Sequence, residues 1–168
     1  PSTSSVISAT YTSWHELAYY LAIDQTLDND MTDFRRTHQS SHTVQHYWDS
    51  RYEQNDEQNL SWTESSQSLS QQWISGTLSR SSSIADIGAG ISLLLPTLLK
   101  AGYRNLTHVE WSQSASLALR YRLGDQASKI TWFVGDLNQW QPPTLIDLWH
   151  DRAVFHFQIG HTSIQQYL

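Results

Sequence analysis

The chemistry-bearing residues of this chain cluster around a glycine pair and three acids. Asp86-Ile87-Gly88-Ala89-Gly90 sits where an apolar run gives way to a helical pattern. Glycines at such a turn permit a tight backbone and let a ligand approach the main chain closely. Glu110 closes the next apolar run, and Gly135-Asp136 closes the one after it. An acid ending the second strand of a nucleotide-binding sheet accepts hydrogen bonds from ribose hydroxyls. One ending the third strand can accept from an adenine amino group. Taken singly, each acid reads as a solvated turn residue and the Gly-x-Gly as a plain strand-to-helix turn. Together, acids at the carboxyl ends of three consecutive strands face one crevice, and the group reads as a nucleoside site.

The elements that must position these residues follow from the apolar pattern. Ser83 to Ile87 predicts a strand, and Ile91 to Ala101 a helix ending at Gly102. Pro96 inside that helix predicts a kink or a late start. Leu106 to Trp111, Ile130 to Val134 and Leu145 to His150 predict three further strands, with a helix over Ser114 to Leu123 before Gly124. Strands that alternate with helices and are themselves largely apolar predict a parallel sheet covered on both faces. Right-handed crossovers then give an α/β, Rossmann-like, doubly wound sheet. Upstream, Trp14, Leu17, Ala18 and Leu21 predict a short helix to Leu27 capped by Ser13. Residues 28–42 read as a linker and Val44 to Tyr52 as a helix. Gln54 to Ser83 reads as one exposed helix on the period of Leu69, Trp73, Ile74 and Leu78. The division is an N-terminal extension over 1–43 and a ligand-binding domain over 44–168.

Composition narrows the function. With 168 residues there is room for one domain with a core. Sixteen acidic against ten basic residues, a net charge of −6, argue against nucleic acid as a partner, because affinity for phosphate backbones comes from clustered Lys and Arg. There is no cysteine, which rules out disulfides and thiolate zinc sites. No apolar run approaches the length of a membrane span, and no secretory signal pattern opens the chain; the expectation is a cytoplasmic protein. His38, His42 and His46 recur every four residues, but nothing completes a ligand set, and no metal site is expected.

The position of Leu93 chooses among nucleoside ligands. A dinucleotide turn needs a third glycine there, and no Gly-Lys-Ser/Thr run supplies a phosphate cradle. Asp86 would repel a pyrophosphate but suits the amine end of S-adenosylmethionine. Here the chain resembles the class I S-adenosylmethionine-dependent methyltransferases. The Asp-x-Gly-x-Gly run, Glu110 and Gly135-Asp136 match in order and spacing. Tyr47-Trp48-Asp49-Ser50-Arg51-Tyr52 followed by Trp62 is similar to the lead-in of a branch that joins bacterial methyltransferase-domain proteins to eukaryotic protein-lysine methyltransferases. Asp147 to Phe157 is similar to the motif after the fourth strand in the bacterial members.

The resemblance implies roles. Trp48 and Tyr52 would lie against the cofactor, Gly88 and Gly90 under its methionine part, Glu110 on the ribose, and Asp136 with the Leu137 backbone on the adenine. Asp151 would face the transferring methyl and is the first choice of catalytic base, with His150 beside it. Trp111 would cap the adenine or simply pack. The expected activity is methyl transfer to a protein lysine or a small molecule. Two alternatives stand beside it: a non-catalytic S-adenosylmethionine-binding fragment, and a nicotinamide-dependent oxidoreductase. Relative to the family, the domain is expected to be truncated after the fourth strand, leaving Leu145 to His150 as an uncovered sheet edge. The single methionine, Met31, is a candidate natural start.

Overall fold

The structure is a computed structural model and describes residues 41–54, 68–152, 154–157, 164, 165 and 167. All of these belong to the compact unit His38–Leu168. The expected helix over residues 14–27, residues 28–40 of the linker after it, Met31, His38 and Trp62 lie outside the described residues. The linker's last two expected residues, Ser41 and His42, are helical, so the helix expected over Val44 to Tyr52 runs over Ser41–Gln54. The elements are α1 (Ser41–Gln54), α2 (Leu69–Thr77), β1 (Ser83–Ile87), α3 (Leu94–Lys100), β2 (Asn105–Glu110), α4 (Gln113–Leu123), β3 (Ile130–Val134) and β4 (Leu148–Asp151). No described helix is long and apolar enough to cross a membrane.

The four strands form one parallel sheet in the order β3-β2-β1-β4. The expected α/β fold is therefore present, and the strand order reverses at β1, as in a doubly wound sheet. Side chains alternate between the two faces along each strand. On one face the register aligns Ile130, Leu106, Ile84 and Leu148 in an apolar row. That row packs against Leu94, Leu95, Leu98 and Leu99 of α3 and Ile74 of α2. The other face carries Ala85, Ile87 and Val109, covered by Leu137 and the half-buried Phe133, Trp140, Ile146, Val154 and Tyr167. Both faces are covered, the second largely by connecting segments together with the short turn at Leu137 and the helical Tyr167.

Three further expected boundaries are corrected. The helix after β1 starts at Leu94, not Ile91, so Pro96 falls in its first turn, where a missing N–H costs no helical bond. Ser92 Oγ accepts from the Leu94 N–H at 3.0 Å and serves that start. Of the expected helix over residues 54–83, residues 55–67 lie outside the described residues; the described part before β1 is helical over Leu69–Thr77, and Ile74 is buried rather than exposed. At its end the Leu78 N–H closes the last turn on the Ile74 carbonyl, and the Tyr103 hydroxyl, buried beneath, is shared between the carbonyls of Ile74 and Leu78, 3.0 Å from each. Finally, β4 begins at Leu148 rather than Leu145. The Asp147 N–H still reaches the Ser83 carbonyl at 2.9 Å, but the Asp147 carboxylate takes the Ser83 N–H at 2.8 Å and Ser83 Oγ donates to the Leu145 carbonyl; side-chain bonds take over beyond that point, and Leu145 stays exposed.

Candidate functional site

The register brings the carboxyl ends of all four strands to one edge. Ile87 pairs with Val109 and with Asp151, and Glu110 pairs with Val134. The turn at Gly88–Gly90, Glu110, Gly135-Asp136 and Asp151 therefore stand along the same rim. Gly88 and Gly90 both adopt left-handed backbone, φ 60° and 53°, which L side chains rarely do. A Cβ on Gly88 would overlap a methyl of Val154, and one on Gly90 would overlap the Tyr52 hydroxyl. The close approach that glycine permits is thus used within the chain by two side chains lying over the turn.

Glu110 is buried, and both of its oxygens are engaged by main chain. Oε2 accepts from the Gly90 N–H at 2.7 Å and Oε1 from the Ser112 N–H at 2.8 Å. Burial pushes its pKa up from the ordinary carboxylate range, and the donated N–H groups from Ser112, Gly90 and Trp111 oppose that rise. Two residues earlier on the same face, His108 is fully buried and its Nε2 lies 3.1 Å from the Gly90 carbonyl. Burial pulls the His108 pKa down to about 4. Neither His108 nor its link to the turn was singled out from the sequence. The alternation of β2 carries the signal, since residues 108 and 110 must share a face.

Asp86 is also buried. Its Oδ1 meets His150 Nδ1 at 2.7 Å, and its Oδ2 accepts from the Ser92 hydroxyl at 3.2 Å. Asp151 projects from the opposite face, as the residue next to His150 on a strand must. The expected pair of proton-handling groups is therefore not brought together: His150 joins the Asp86 side and Asp151 the Val154 side. Asp151 Oδ1 accepts from the Val154 N–H at 2.8 Å, and Oδ2 from the Tyr167 hydroxyl, which in turn accepts from Trp149 Nε1. Burial and the adjacent Asp151 charge push the Tyr167 phenol well above its ordinary range, so it remains a donor. At the end of β3, Asp136 Oδ1 accepts from the Asn138 N–H and caps the short 3-10 turn Leu137–Gln139, where Leu137 is buried.

Helix α1 supplies the aromatic wall. Trp48 meets Phe157 edge to face with centroids 5.0 Å apart, and Tyr52 lies over Gly90. The helix is held by an acid that sequence reasoning missed. Asp49 Oδ1 accepts from the Ser112 hydroxyl at 2.7 Å and the Ser114 N–H at 2.9 Å, at the N-terminus of α4. A carboxylate there satisfies orphan donors and complements the helix dipole. Sixty-three residues separate Asp49 from Ser112, so no local pattern announces the pair. Trp111 is half-buried beside Ser112. His46 is exposed on α1, and among the described residues no group of three His, Cys, Asp or Glu could hold a metal ion.

Neither a protein-family model nor a curated protein sequence matches the chain. Solved structures do. A Pyrococcus horikoshii protein whose assignment as an RNA methyltransferase is itself provisional matches 42% of this chain at 25% identity, with a TM-score of 0.39. The glycopeptide N-methyltransferase MtfA, solved with (S)-adenosyl-L-methionine, matches 48% at 24% identity, also with a TM-score of 0.39. The matched stretch spans 37% and 36% of those two chains. Both neighbours carry the name of a methyltransferase, while the α/β fold of this chain rests on its own strand order and register.

Proposed function

We propose that the rim of the sheet binds S-adenosyl-L-methionine and that the chain serves methyl transfer to a protein lysine or a small molecule. One observation carries this reading: parallel pairing assembles the glycine turn and the acids at 110, 136 and 151 along a single edge. Gly88 and Gly90, with Asp86 beneath them, would take the methionine part. Glu110 would take the ribose, and Asp136 with the Leu137 main chain the adenine. The donor set fits a ligand with a diol, an aromatic amine and no phosphate, since acids rather than basic groups line the edge. Trp48 and Tyr52 offer π faces suited to a sulfonium. The Tyr52 hydroxyl and the Val154 methyl are what a ligand must displace to reach the turn.

When bound, the cofactor supplies an electrophilic methyl on its sulfonium. The chain's own contribution is then positioning of donor and acceptor. Asp151, at the end of β4, is the residue that would accept a proton from the acceptor. A net charge of −6 makes a polyanionic acceptor unfavourable.

Calorimetry of the full chain with S-adenosylhomocysteine tests the reading, with Asp136→Ala as control. Saturable one-to-one binding that weakens in the variant is expected; no binding by the native chain would overturn it. A second reading, a binding module without turnover, is favoured by one observation. Both Asp151 oxygens are already engaged, by the Val154 N–H and the Tyr167 hydroxyl. Binding of S-adenosylhomocysteine with no methylation across peptide and metabolite panels would select it.

A further inference from the structure

Gly90 is held by both of its main-chain polar groups, and both holders come from one strand. Glu110 receives its N–H at 2.7 Å, and His108 Nε2 lies 3.1 Å from its carbonyl. The two side chains are alternate residues of β2 and so project from the same face. The Tyr52 hydroxyl lies over the same residue. A carbonyl accepts and cannot donate, so the hydrogen on this bond belongs to His108 Nε2. Nδ1 of the ring is buried and has no hydrogen-bond partner. A second ring proton would be an orphaned donor in the interior, so the ring is neutral with the proton on Nε2.

The ring is fixed from the other side as well. It packs on Trp132 with centroids 4.6 Å apart, and Trp132 is tied by its Nε1–H to the Ala127 carbonyl at 2.9 Å. The Arg120 guanidinium lies 4.5 Å over the Trp132 ring. An imidazole packed on Trp132 and aimed at one peptide carbonyl does more than fill space: leucine would fill it but leave the Gly90 carbonyl without this donor.

We propose that His108 is a positioning residue for the ligand site: with Glu110 it clamps the Gly90 peptide and sets the orientation of the glycine turn. The inference rests on the S-adenosylmethionine reading for the ligand, but the clamp itself is a property of the free protein. His108 touches no ligand; it acts through Gly90. Because the hydrogen bond comes from the ε position, glutamine, whose amide nitrogen reaches the same point, keeps it. Asparagine, whose nitrogen sits one atom short, does not.

Two measurements on the full chain separate the clamp from the ligand. Nitrogen-15 spectra of the ring in the free protein are expected to show Nε2 protonated and Nδ1 bare at neutral pH; the opposite tautomer overturns the proposal. Amide exchange at Gly90 is expected to be slow in the native chain and His108→Gln, and at least five-fold faster in His108→Asn; equal protection in all three overturns it. Calorimetry with S-adenosylhomocysteine then reads the consequence. Affinity is expected to fall about five-fold in His108→Asn, the size of one net hydrogen bond lost from the competent loop, and to return in His108→Gln. If the native chain binds and both variants bind equally well, His108 only packs. If the native chain binds nothing while the exchange pattern holds, the ligand reading fails and the clamp stands.

Discussion

Replacing Gly90 by alanine probes the turn without assuming any ligand. Two costs are involved. The residue sits at φ 53°, and an L side chain in left-handed backbone costs about 1–2 kcal/mol. The new methyl also overlaps the Tyr52 hydroxyl, with the ring carbon Cζ only 3.1 Å away, so the phenol must swing aside and lose its packing. Displacing a half-buried aromatic from a tight contact adds about 1–2 kcal/mol, for a total of roughly 2–4 kcal/mol. The second cost disappears if Tyr52 is already absent. In a Tyr52→Ala background, Gly90→Ala should therefore cost only the dihedral part, about 1–2 kcal/mol. The double mutant should be more stable than the sum of the singles by about 1–2 kcal/mol. Urea unfolding of the four proteins, with midpoints compared at constant m, gives the coupling directly. Additivity to within roughly 0.5 kcal/mol would mean that α1 does not seat Tyr52 on the turn. The stacking of α1 over the site would then be wrong.

Other predictions follow from single contacts. His108 titrates near 6.5 when unfolded but is pulled to about 4 in the fold, so its stabilisation is complete above pH 6.5 and drains away as pH falls toward 4. The loss is roughly 3 kcal/mol, subject to the Asp86 and Arg120 charges nearby, and the stability difference between native chain and His108→Gln should show that slope in urea titrations from pH 7 to pH 4. A flat difference would show that the ring is not buried neutral. Tyr103→Phe leaves the carbonyls of Ile74 and Leu78 without their shared buried donor and should lower stability by about 1–3 kcal/mol, with a native far-ultraviolet spectrum. Asp49→Ala removes the acceptor at the start of α4 and should cost about 1–2 kcal/mol, measurable as a lower urea midpoint, and Asp49→Asn should recover part of it by keeping the acceptor without the charge.

What was legible in the sequence was what local pattern controls. The limits of β1 and β3 are those the apolar runs predict; β1 is buried on both faces and is bounded by its own composition, and β3 runs from the buried Ile130 to Val134, just before Gly135. The rim acids Glu110 and Asp136 and the glycine turn were likewise legible, since strand ends fix where they stand. Contacts between distant segments were not. Nothing near Asp49 points to Ser112, nothing near Asp151 points to Tyr167, and nothing near Gly88 points to Val154. The late start of β4 has the same origin: the Asp147 carboxylate takes the Ser83 N–H and Ser83 Oγ donates to the Leu145 carbonyl, contacts that no local pattern announces.

The helix-covered face of the sheet explains why the proposed site lies at the carboxyl edge. One row across it, Ile130, Leu106, Ile84 and Leu148, is wholly apolar and packs on the helices. The next row toward the rim is Trp132, His108, Asp86 and His150 by the same register. His108 and Asp86 there are buried, and burying such groups is costly unless each is bonded. They are bonded to the turn and its neighbours: His108 to the Gly90 carbonyl, Asp86 to Ser92 and His150. An apolar second row would leave the Gly90 carbonyl and the Ser92 hydroxyl without these partners. A polar row directly beneath the glycine turn therefore makes sense as the support that fixes the turn's carbonyl and amide directions. The sheet buries polar side chains at the level where the backbone above it has to be aimed.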